Sequence, residues 1–123
     1  MTPQQIFDTV VNHLRQQGCK SEDEDRICLY RGPNGTKCAV GILIRDDEYD
    51  PRLEVNAFHS VVDNHLEDAS YQVATSLIAR LKPHRNLIVA LQKVHDMCEV
   101  EVWESRFSAI AEVYSLIYTE PKS

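Results

Sequence analysis

The residues with the most chemistry to offer are four cysteines and a histidine–aspartate pair. Cys28 and Cys38 sit ten apart around a turn, and His95 and Cys98 sit three apart. On a hairpin and a helix face these four make a Cys₃His zinc set. Neither pair has the short Cys-x-x-Cys knuckle that makes such an assignment specific. Cys38 follows Lys37 and stands where a helix can begin, two features that lower a thiol pKa. As a nucleophile it needs a base, His95 or His59, and an orienting carboxylate, Asp96. The competing reading is a buried small hydrophobe, favoured by Ala39 and Val40 beside it. A Cys28–Cys38 disulfide fits hairpin geometry but not a reducing cytosol. His95-Asp96 alone lacks the further ligands of a metal-dependent phosphohydrolase, and a structural hydrogen bond from His95 to the hairpin is expected instead. His59 and His65, six apart, share no helix face.

A second constellation is basic. Arg31, Asn34 and Lys37 surround the turn Gly32-Pro33-Asn34-Gly35, with Arg26 and Arg45 nearby. Such a tip can hold a nucleotide or another small anion, with His95 and Asp96 as further ligand-binding candidates. It lacks the spacing of a phosphate-binding loop. Pairing with Asp46, Asp47 and the Glu22–Asp25 run is the simpler use of these cations. The acidic run itself has neither the ligand spacing nor the turn glycine of an EF-hand.

These groups need elements to position them. Thr2, Pro3 and Gln5 spell a capped helix start, Ile6, Phe7, Val10, Val11 and Leu14 share one face, and Gly18 closes the helix, which predicts Pro3 to Gln17. His13 flanks that stripe as a part-buried, hydrogen-bonded side chain. Ile27 to Tyr30, the turn and Thr36 to Cys38 predict a β-hairpin, followed by a short apolar helix that begins near Cys38. Arg45 to Leu53 is an acidic connector. Helices are expected from Asn56, over Tyr71 to Leu81, from Asn86 through Cys98, and from Val100 to about Ile117, with 119–123 as a frayed tail.

The pattern Cys28-x-Tyr30-Arg31-Gly32-Pro33-Asn34-Gly35-x-Lys37-Cys38-Ala39-Val40-Gly41-x-Leu43-Ile44 resembles a hallmark of small uncharacterised proteins encoded by tailed phages, prophages and bacteria. The likeness extends to Asp47-Glu48-Tyr49, to Leu91, Gln92, His95 and Asp96, and to Trp103. Two departures are a cysteine expected where Ile42 stands and a proline where Arg45 stands. The resemblance implies a bacterial host cell and its cytoplasm as the setting, and a host protein as the partner, rather than a chemistry.

At 123 residues with 43% hydrophobic and 26% charged content, one soluble domain (1–123) is expected, large enough to fold without a metal. The net charge of −6 argues against a nucleic-acid partner, and no apolar run approaches a membrane span. The chain is thus expected to be α+β: mostly helical, with one small hairpin packed against the helices. The functional expectation is a non-enzymatic interaction protein that needs no cofactor. A nucleotide or anion module is the alternative, and a zinc- or thiol-dependent enzyme a second. The broad apolar stripe of the last helix leaves a homodimer through that helix open.

Overall fold

The computed structural model describes residues 1–68 and 70–121. Helix α1 spans Pro3–Gln17. Thr2 Oγ1 accepts the Gln5 N–H (3.1 Å) and Gln5 Oε1 accepts the Thr2 N–H (2.8 Å), so orphan amides at the helix start are satisfied reciprocally. Gly18 turns left-handed (φ 68°) and its N–H reaches Leu14 O. The expected stripe from Ile6 to Leu14 is buried.

The β-hairpin is not formed. Among the described residues the only β pairings are two isolated bridges, Glu22 with Cys28 and Arg31 with Lys37, so the fold is all-α and the α+β expectation fails. The cause lies in where the backbone hydrogen bonds go. Glu54 Oε1 and Oε2 accept the consecutive N–H groups of Tyr30 and Arg31 (2.8 and 3.1 Å), occupying donors that a ladder would need. On the other arm, Gln17 Oε1 accepts the Lys37 N–H, while Lys37 O accepts from Gln17 Nε2 and faces His13 Nε2 (2.9 Å). Side chains from α1 and a distant loop thus replace a partner strand. Only the tip is tied to itself, through Gly32 N–H to Thr36 O.

The apolar run after Cys38 becomes a turn and a single 3₁₀ turn, Gly41–Leu43, packed on α1. Gly41 is required there: a Cβ would lie 1.9 Å from Tyr30 O. Among the described residues four more α-helices follow, α2 (Phe58–Val62), α3 (Thr75–Leu81), α4 (Arg85–Met97) and α5 (Trp103–Val113). Neither Asn56 nor Asn86 acts as the expected cap. Asn56 instead staples two loops, donating to Arg52 O and Glu54 O and accepting from Glu67 N–H. Pro83 ends α3 as expected, and a 3₁₀ turn, Lys82–His84, leads directly into α4.

α4 is the central element. It packs on α1, α2 and α5, and buries Leu87, Ile88, Leu91, Val94 and His95. α5 stops at Val113, short of the expected Ile117. Ser115 takes a left-handed φ of 56° and the chain turns back along α1. There the Gln4 side-chain amide exchanges two hydrogen bonds with the Ile117 backbone, and Arg15 Nη2 donates to Thr119 O (2.7 Å). Thr119, the first residue of the expected frayed tail, is thus hydrogen-bonded to α1; Lys122 and Ser123 lie outside the described residues.

Candidate functional site

His95 is fully buried on α4. The Ser21 backbone N–H can only donate, and it points at Nε2 from 2.9 Å, so Nε2 carries the lone pair. Nδ1 therefore bears the proton and donates it to Asp96 Oδ1 (2.7 Å). Gln92 Nε2 donates to the same oxygen (2.8 Å), while Gln92 Oε1 accepts the Val40 N–H. Trp103 lies roughly parallel to the imidazole, with ring centroids 6.0 Å apart. Ser21 is itself buried and donates its hydroxyl to Leu29 O. His95 thus ties α4 to the chain before the turn, at Ser21 rather than at the expected hairpin.

Cys28 joins this pair: its sulfur, a His95 ring nitrogen and an Asp96 oxygen lie within 4.8 Å of one another. Burial raises the Asp96 carboxyl, but hydrogen bonds from His95, Cys28 and Gln92 outweigh it and hold the group below its ordinary range. Burial, then the Asp96 carboxylate, pushes the Cys28 thiol up to about 12. Burial likewise takes Cys38 to about 12, against a hydrogen bond from the Gly41 N–H to its sulfur (3.3 Å). Both thiols are protonated at neutral pH, the opposite of what a nucleophile needs.

As hydrogen-bonded here, His95 offers this group no free lone pair: a metal on Nδ1 would move the ring proton to Nε2, against the Ser21 N–H. Nor does the expected Cys₃His set assemble among the described residues. Cys38 lines the same cleft as Cys28, but Cys98 lies along a different groove, between α4 and α5.

That cleft, about 380 Å³, runs between the segment 27–30, the segment 54–59 that leads into α2, and α4. Tyr30, Phe58, Val89 and the two thiols line it, together with the polar side chains of Glu54, Asn56, His59, Gln92, Lys93 and Asp96. Its mouth is apolar, since Ile27 is 50% and Val55 72% exposed. Both rims are backbone-strained: Val55 (φ 61°) and Arg26 (φ 63°), beside Ile27, are left-handed. For a β-branched residue this conformation costs about 1–3 kcal/mol, and such residues collect at binding sites. Tyr30 OH donates to Asn56 O, and Tyr49 OH to Glu54 Oε2 (2.7 Å), which fixes the wall.

The basic tip is separate and largely committed. Arg31 Nη2 donates to Asp46 Oδ1 (2.7 Å), and its guanidinium sits 4.4 Å from the Tyr49 ring centre. Asn34 is exposed and left-handed (φ 61°), and Lys37 is half-buried by α1. None of Arg31, Asn34 and Lys37 lines the cleft that Asp96 faces. Sequence reasoning missed Ile27, Val55, Glu54 and Lys93. Only Ile27 carried a signal, as an aliphatic residue beside an acidic loop.

The chain matches no protein-family model, no curated protein and no solved structure. No described helix is long and apolar enough to cross a membrane.

Proposed function

We propose that this chain is a non-enzymatic interaction protein whose cleft beside α4 receives an apolar segment of a partner protein. The observation that carries this reading is the mouth of the cleft: Ile27 and Val55 stand exposed there, Val55 on strained backbone and Ile27 beside the left-handed Arg26, above the apolar side chains of Tyr30, Phe58 and Val89. Exposed aliphatic side chains on a preformed rim gain by burial against a partner, at roughly 25 cal/mol per Å². The titratable groups at the floor are bonded to one another, which favours recognition over turnover. Arg31 already holds a carboxylate and an aromatic face, so the anion-binding alternative loses its chief ligand. The resemblance to phage and prophage proteins supplies the setting: a host protein in the bacterial cytoplasm, modulated by being bound.

A photo-crosslinking amino acid at position 55 tests this in bacterial lysate. One dominant adduct is expected, absent when the crosslinker sits at the exposed Gln72 and lost on Ile27→Glu. Equal labelling from both positions, or none from position 55, overturns the reading.

A further inference from the structure

On the other side of α4 lies a second groove, about 470 Å³, between α4 and α5. Its floor is Ala90, Val94, Ile110 and Tyr114, and its rims carry Met97 and Val113, which are 78% and 77% exposed. Arg106, Ala109, Ile110 and Val113 line it from α5 at three- and four-residue steps, away from the buried Trp103, Phe107 and Ala111. This is the seam spacing on which a second helix packs. Ala90 and Ala109 are small enough to admit a backbone closely, and an unbranched methionine adapts to what arrives.

The charges name the occupant. Among the described residues, the charged side chains lining the groove are Lys93 and Arg106, with no carboxylate among them, in a chain of net charge −6. Neither cation forms an ion pair among the described residues. From this we infer that the α4–α5 groove docks an acidic amphipathic helix of a partner protein, apolar along one face and carboxylate-bearing on its flanks. A second copy fits less well. A two-fold dimer sets the same patch against itself and brings Lys93 and Arg106 toward their own counterparts. An anionic membrane fits less well too, because the patch is concave and carries two cations where surface-binding clusters carry about four to eight. The groove stands apart from the cleft, sharing only Lys93 with it.

The probe is a fluorescein-labelled amphipathic helical peptide of about four turns, leucine on one face and glutamate on both flanks, compared with its lysine-flanked counterpart. Fluorescence anisotropy is expected to show saturable binding of the acidic peptide, weakened roughly tenfold by the Lys93→Glu/Arg106→Glu pair. That variant should gain affinity for the lysine-flanked peptide. Val113→Glu should abolish binding of the acidic peptide, while Ile27→Glu, on the cleft rim, should leave it unchanged. Circular dichroism of these surface variants checks that the fold is intact. Four outcomes overturn the inference: no saturable binding, equal binding of both peptides, Arg106-dependent partition onto phosphatidylserine vesicles in place of peptide binding, or sedimentation showing a dimer broken by Val113→Glu.

Discussion

His95 has the residue type and the neighbours of a catalytic group, and its hydrogen bonds show that it is spent on structure. One ring nitrogen takes a backbone N–H and the other gives its proton to Asp96, so nothing is left to abstract or deliver a proton. The proposed function places its weight instead on Val55, an aliphatic side chain with no ionisable atom, held where its backbone is strained. Replacing it by glycine removes both the strain and the exposed side chain. Val55→Gly is expected to raise stability by about 1 kcal/mol in urea denaturation while losing the partner captured by the crosslinker. A variant that loses stability, or keeps the partner, contradicts the role given to this residue. No sequence pattern announces such a position, because a left-handed valine reads like any other valine until the loop is built.

At the scale of elements, legibility divides by the range of the interactions. Helix α1 was readable to the residue because its cap, stripe and C-terminal glycine are local signals. The segment 27–38 was misread because its local signals were those of a hairpin, and distant carboxylate and amide groups, Glu54 and Gln17, outbid the second strand for its backbone. A buried ion pair was equally invisible. Glu48, in the acidic connector, is buried against α3, accepting from Arg80 Nη2, from Ser76 Oγ (2.7 Å) and from the Arg45 N–H (3.0 Å). Burial raises its carboxyl, but these bonds win and hold it below the ordinary range. A folded-state value lower than the unfolded one, about 4.3, adds stability that is complete above that unfolded value. It is lost as pH falls through the depressed folded value. Urea midpoints should therefore drop on acidification below about pH 5, and the drop should be shallower in Glu48→Gln. That variant should also lose about 3 kcal/mol at neutral pH, because Arg80 is left without its counter-charge. Parallel pH profiles for the two proteins would show that Glu48 contributes nothing to the acid limb.

Across the whole molecule, the helical periodicity of the sequence has its counterpart in the fold, whereas the α+β class does not. Of the expected Cys28, Cys38, His95 and Cys98 set, Cys28 and His95 meet, joined by Asp96. Cys98 could not be placed, since a three-residue spacing from His95 fixes a helix face but not which neighbour that face meets. The grooves on either side of α4 were out of reach for the same reason, being made by pairs of elements. The fastening of residue 117 to residue 4 has a consequence of its own. A segment near each end of the chain is held beside the other by side-chain bonds that do not depend on where the backbone is interrupted. Chain order is then separable from architecture. Joining the ends through a flexible linker and opening the backbone between Asn34 and Gly35, both exposed and both left-handed, interrupts a single 3₁₀ turn and is expected to leave α1 to α5 and their contacts in place. Such a circular permutant should reproduce the helical circular dichroism spectrum and the crosslink from position 55, with the beginning and end of the polypeptide relocated to its turn.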